Sequence, residues 1–313
     1  MRTTTRPRRV LYIVPDFTAR KFLLIFPAFG LTFVSEARAD DWLGARSLGR
    51  GGTGLADGED AGAAGVNVAT VSLADRYDLV AGGVRGPDDT WIGRIAAVDS
   101  RTSVVTLGAT YTYKADDVPP TGDALPGWIV AGDEIDNPAT HQGLSIGIAY
   151  PFLERKFSVG FTGRYDWLAS ENEGNASAFN FGASIAGKPA DSLTLALSVQ
   201  NVLDLDYVDT RRLVDIGARW QPGPYLALEG SLRTEWMGNP FEESLAEHVG
   251  IDLFAVKWLA LRGGWQHENG QHQVGGGIGL ISDKAAIDYG ISGELGTADP
   301  VRLWHGVDIR IHF

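Results

Sequence analysis

The side chains best able to do chemistry in this chain are charged residues that recur at alternate positions among apolar or small ones. Ile309-Arg310-Ile311 and Ile287-Asp288-Tyr289 are typical. The set comprises Arg164, Asp166, Asp215, Arg219, Glu229, Arg233, Asp252, Arg262, Asp288, Asp308 and Arg310. Side chains on a strand point to opposite sides in turn, so alternation places these residues on one face of successive strands. Arginines interleaved with carboxylates on one face do pairing chemistry, neutralising one another across neighbouring strands. A selectivity lining for a polar solute would show one dominant sign, and both signs are present here. Asp252 and Arg262 flank a tight turn near Lys257. That spacing sets them opposite or one diagonal step apart, so a contact between them is expected.

Motifs that could support catalysis or cofactor binding do not close into sites. Cysteine is absent, which removes thiol catalysis, Cys-ligated zinc and disulfides. Gly49-x-Gly51-x-x-Gly54 has the spacing of a dinucleotide fingerprint, but that motif needs a strand before it and a helix after it. Asp57, Glu59 and Asp60 follow no calcium-loop spacing and read as turn carboxylates. His267 and His272 lack the HExxH spacing of a zinc pair and are expected as exposed loop residues. No Ser/His/Asp set can be identified by spacing, because such triads are defined by geometry. Asn175-Ala176-Ser177 matches a glycosylation sequon by pattern alone. The expectation is a non-enzymatic protein with no cofactor and no metal.

Strands must position these charges. From about Tyr77 to Phe313 the chain runs in segments of roughly ten residues that alternate apolar with small or polar, separated by turn residues. About fourteen are expected, near 76–85, 90–98, 103–114, 142–151, 156–168, 176–187, 192–202, 212–221, 224–236, 246–255, 258–267, 271–281, 284–294 and 302–313. A tilted strand of about 9–11 residues crosses a bilayer, whereas soluble strands centre on five or six. The links also alternate in kind, tight at 99–101, 152–155, 188–191, 222–223, 256–257 and 282–283, mostly longer or more acidic between. Outer-membrane barrels sort their loops in this way, with short turns in the periplasm. Trp91, Trp167, Trp220, Trp236 and Trp265 fall at strand ends on the apolar parity, where interfacial girdles sit. Trp304 falls on the inward parity. Charges facing lipid would cost about 2–4 kcal/mol each, so the charged parity must face a lumen.

Composition agrees. Forty glycines in 313 residues, against an average of about 7%, argue against a helical protein. A net charge of −12 makes nucleic acid an unsuitable partner. Residues 1–39 read as a secretory signal: a basic start (Arg2, Arg6, Arg8, Arg9, Arg20, Lys21), an apolar run from Phe22 to Val34, and Ala37-Arg38-Ala39 as the cleavage site. They hold seven basic and two acidic residues, so the remainder carries −17. Residues 40–70 are rich in Gly, Ala and Asp and show no alternation. With no apolar strand face they gain nothing from lipid, and they are expected to fold into the lumen as a plug that includes Asp40 and Trp42.

Gly44-Ala45-Arg46-Ser47-Leu48-Gly49-Arg50-Gly51-Gly52-Thr53-Gly54, then Asp60-Ala61-Gly62-Ala63-Ala64 and Asn67-Val68-Ala69, resembles the start of mature FadL-type and PorV-type outer-membrane proteins. Leu259–Trp265, Gly275–Gly279 and Ile287–Gly290 are similar to the last strands of PorV-like members. The resemblance implies an all-β, fourteen-stranded antiparallel transmembrane barrel in the outer membrane, both termini periplasmic. Its lumen would be occluded by the N-terminal segment through Gly49, Gly51, Gly52, Gly54, Asp60 and Asn67. The terminal aromatic Phe313 matches the barrel-assembly pattern of such proteins. FadL-type members pass hydrophobic small molecules such as fatty acids, and PorV-type members serve protein secretion and surface attachment. The expected partners are therefore outer-membrane lipid with either a hydrophobic ligand or secretion-system proteins.

Overall fold

A computed structural model describes residues 44–87, 90–115, 140–170, 174–203, 212–235, 245–268, 270–296 and 303–313. The expected leader, Asp40, Trp42, Trp236 and most of the 115–141 loop lie outside the described residues.

Fourteen strands form a closed antiparallel barrel: β1 (Tyr77–Arg85), β2 (Trp91–Asp99), β3 (Thr106–Ala115), β4 (Thr140–Phe152), β5 (Phe157–Ser170), β6 (Gly174–Ala190), β7 (Leu193–Gln200), β8 (Leu213–Gly223), β9 (Leu226–Glu235), β10 (Ala246–Val256), β11 (Leu259–Glu268), β12 (Gln271–Ile281), β13 (Ala285–Leu295) and β14 (Leu303–His312). Each pairs with its neighbours in sequence, and β1 meets β14 with Asp78 opposite His312. Closure leaves no unpaired edge, so every strand's backbone is satisfied within the wall. Two side-chain populations follow from the alternation. Ile95, Ile146, Ile148, Phe161, Phe179, Ile216, Leu232, Val249, Ile287 and Ile309 are exposed on the outside. Such a continuous apolar exterior is stable only against hydrocarbon.

The strands follow the expected segments with two informative departures. β3 starts at Thr106 rather than near 103, because the Asp99 carboxylate accepts from the Arg101 and Thr102 amides (3.0 and 2.9 Å) and stabilises a wider turn. His267 and His272 are not loop residues. They are directly opposed on β11 and β12 (ring centroids 4.7 Å apart) and stack with Trp265 on the outer face. The 268–271 connection is too short to hold them outside the ladder. Trp91, Trp167 and Trp265 are half-buried, Trp220 is exposed, and Trp304 shares the inward parity of Gly306 and Asp308.

Inside the wall, residues 44–74 form short turns: α1 (Ala45–Leu48), a 3-10 turn (Ala61–Gly65) capped by Asp60, and α2 (Val68–Val71) capped by Asn67. Both caps accept from a backbone amide, Gly62 N–H at 2.8 Å and Thr70 N–H at 3.1 Å. Gly51 and Gly52 (φ 63° and 79°) reverse the chain after α1 in a conformation that disfavours other residues. The segment touches all fourteen strands. Its apolar side chains meet inward ones of the wall, Ala61, Ala63, Ala64 and Val71 against Val80, Ala96 and Val98.

Candidate functional site: the buried charge network of the lumen

Glycines on the inner wall let the segment's backbone approach. Gly250, Gly264 and Gly275 form one register row across β10–β12, and Gly277, Gly290 and Gly306 another across β12–β14. A Cβ on Gly264 would strike the Arg50 carbonyl, one on Gly290 the Ala45 carbonyl, and one on Gly250 would lie 2.8 Å from the Arg50 oxygen. These rows bring the segment's arginines into the charged wall.

Arg50 is at the centre. Its guanidinium lies 2.9 Å from Asp57, 3.2 Å from Glu229 and 3.2 Å from Asp252. Asp252 gathers Arg219 (3.1 Å), Arg262 (3.2 Å) and Arg46 (3.7 Å) as well, and Arg46 reaches Asp57 and Glu59 at 3.0 Å. Arg262 passes the chain of pairs to Asp288 (2.8 Å), and Asp288 to Arg310 (3.1 Å). Arg94 joins Asp60 (3.8 Å) and Asp308 (3.5 Å), and Asp308 accepts from the Ala45 amide at 2.7 Å. The wall charges in this network are almost fully buried, so each persists only because opposite charges surround it. Within the segment, burial would push the Asp57 carboxyl up. Arg219, Arg46 and Arg50 outweigh that and hold it well below the usual carboxylate range. Asp60 is lowered too, burial being overcome by Arg94, Arg310 and Arg46.

The remaining wall charges form two satellites toward the long-loop rim. Asp166 holds Arg164 (2.9 Å) and His141 (2.8 Å), and Asp215 holds Arg233 (2.6 Å) and Gln200 (2.9 Å). Asp252 and Arg262 are register partners with a direct 3.2 Å hydrogen bond. Phe313 lies at the opposite rim, its ring edge-on to Tyr77 (5.4 Å) and its amide donating to the Tyr77 carbonyl at 3.0 Å.

Sequence reasoning passed over Arg46, Arg50, Asp57 and Arg94 as network members. The first two had a signal, since i, i+4 spacing puts both on one side of a helical turn. Arg94 had little, because inward Ile92, Ala96 and Val98 leave β2 without a polar face. Among the described residues, no group of three or more His, Asp or Glu is arranged to hold a metal ion.

No family model matches the sequence, and no curated protein matches it significantly. The fold does have solved counterparts. The chain is similar to the Ralstonia pickettii toluene transporter TbuX (12% identity, TM-score 0.58, covering 86% of this chain and 97% of that one). It is also similar to a Pseudomonas aeruginosa FadL homologue (12%, 0.52, 86% and 97%). The TodX monoaromatic hydrocarbon channel, as its deltaS2 mutant, is a third (12%, 0.55, 87% and 98%). The barrel has the FadL-type fold.

Proposed function

We propose that the protein is an outer-membrane channel through which small hydrophobic molecules, fatty-acid-like or aromatic, pass passively, with residues 44–74 as a plug in its lumen. The observation that carries this reading is the barrel shared with TbuX and TodX, a toluene transporter and a monoaromatic hydrocarbon channel. Cleavage of residues 1–39 and export fit the basic start and the Ala-x-Ala site. The rim with the short connections also holds the start of β1 and the end of β14, which fits a periplasmic position for both termini. The protein acts without catalysis, its outer face solvated by lipid.

One observation favours a second reading, a closed scaffold for secretion or surface attachment: the buried pairs from Arg46 and Arg50 tie the segment to β9 and β10. Planar-bilayer recordings test the plug that both readings contain. The full chain should give low conductance and deletion of 44–74 large steps, because a fourteen-strand barrel is wider than wall side chains alone can fill. Unchanged conductance after deletion rules out the plug, and uptake of a labelled hydrocarbon by cells with and without the protein separates channel from scaffold.

A further inference from the structure

We propose that Arg155 seats the C-terminal end of the inner segment, and that the β4–β5 turn adopts a left-handed conformation in order to aim it. Leu153, Glu154 and Arg155 have φ of 50°, 56° and 61°. L-residues visit this region as single residues, Asn and Asp mostly, and a run of three without glycine is uncommon. Hairpin closure does not demand it. The turns at Pro224-Tyr225 and Lys257-Trp258 close other hairpins at the same rim without a positive φ, and the only other such non-glycine residue among those described is Asn201. A local outlier of this kind points to a task.

The task is visible at the rim. From this turn the Arg155 guanidinium reaches inward. One Nη donates to the carbonyls of Ser72 (2.8 Å) and Ala74 (3.3 Å), and the other donates to the Ser100 carbonyl. Ser72 is the C-cap of α2, where carbonyls lack helical partners. Ala74 is in the joint between the segment and β1, and Ser100 is in the β2–β3 turn. A planar fork of five donors suits three converging carbonyls, and a lysine cannot reproduce it. Hydroxyls complete the joint: Ser72 Oγ meets Ser158 Oγ at 2.5 Å, and Ser100 Oγ donates to the Ala74 carbonyl at 2.6 Å. Asp75 Oδ1 lies 3.9 Å from Arg155, and Arg76 pairs with Asp78 at 3.0 Å. The segment is continuous with β1 here, so it can leave the lumen only by pivoting at this joint. Arg155 is a positioning residue that fastens the pivot to two neighbouring hairpins.

The inference rests on the plug reading only for its effect on conductance, so the test reads position directly. The chain has no cysteine, which makes Ala69→Cys on α2 a single reporter, and Ala69 is fully buried. In detergent, a polar maleimide should label the reporter slowly in the otherwise unaltered chain. With Arg155→Gln it should label roughly tenfold faster, as expected for losing charge-assisted hydrogen bonds, while the unboiled gel band stays at its folded position. Glu154→Gly, which holds the left-handed φ of the turn without strain and keeps Arg155, should label as slowly as the parent. Parent-rate labelling in a folded Arg155→Gln protein overturns the proposal, and so does fast labelling in Glu154→Gly. If Arg155→Gln gives no folded band, Arg155→Lys decides: faster labelling than the parent supports the role, and the parent rate overturns it. Unchanged conductance after deletion of 44–74 would defeat the plug reading alone and leave these labelling outcomes meaningful.

Discussion

Replacing Asp252 by Asn tests the network at its most connected point. The carboxylate lies 3.1–3.7 Å from Arg219, Arg50, Arg262 and Arg46 and is buried. At an effective dielectric of about 20, each pair is worth about 4 kcal/mol near 4 Å. The carboxylate's own desolvation cost, relieved by the substitution, cancels most of that sum. What remains is the cost of leaving buried guanidinia short of a counter-charge, about 3–5 kcal/mol where one partner of a buried pair is removed. Asn keeps the shape and one acceptor oxygen, so the loss is electrostatic and not steric. Urea unfolding of the protein in detergent, followed by the loss of the folded band on unboiled gels, should shift to a clearly lower midpoint. Asp252→Asn combined with Arg219→Gln should fall short of the sum of the single losses, because the two share one network. A midpoint within error of the parent would refute the claim that buried pairing holds the segment to the wall.

The other predictions concern pH, the glycine rows and assembly. Asp57 has a lowered folded pKa, so its contribution is complete above the ordinary carboxylate value of about 3.9 and fades only as pH falls through the lower folded value. Conductance should therefore stay low from neutral pH to about 4 and rise below it, and a rise near pH 6 would contradict this. Gly264→Val should unseat the segment by striking Arg50, raising conductance. Gly263→Val, whose Cβ meets only Ile251 at 3.5 Å, should not, and equal effects would dismiss the close-approach argument. Deleting Phe313 removes its contacts with Tyr77 and should reduce the fraction of heat-shifting, assembled protein in outer-membrane fractions. An unchanged fraction would remove its assembly role.

The barrel was legible in the sequence because its period is enforced twice, by lipid outside and by charges inside. Strands such as β14 keep Val307, Ile309 and Ile311 out and Asp308 and Arg310 in, so parity alone orients every side chain. β1 and β2 were harder, since they present Val80, Val84, Ile92 and Val98 to an inner segment that is itself apolar there. Which wall charge pairs with which was legible only across a hairpin, as for Asp252 and Arg262. The link from Arg50 to Glu229 spans 179 residues and depends on how the segment threads the lumen, which no local pattern encodes. The glycines of β11 and β12 read in sequence as family features. Their physical reason, room for the backbone of residues 48–51, needed the packing to be seen.

The central claim is passage of hydrophobic solutes, and uptake by whole cells tests it most directly. Cells with a lipopolysaccharide outer leaflet and no hydrocarbon channel of their own would be given labelled toluene, a labelled long-chain fatty acid and a labelled sugar, with and without the protein. The account expects faster entry of at least one of the hydrophobic solutes and no change for the sugar. Equal entry of toluene and fatty acid in both strains, or faster entry of the sugar alone, would contradict it.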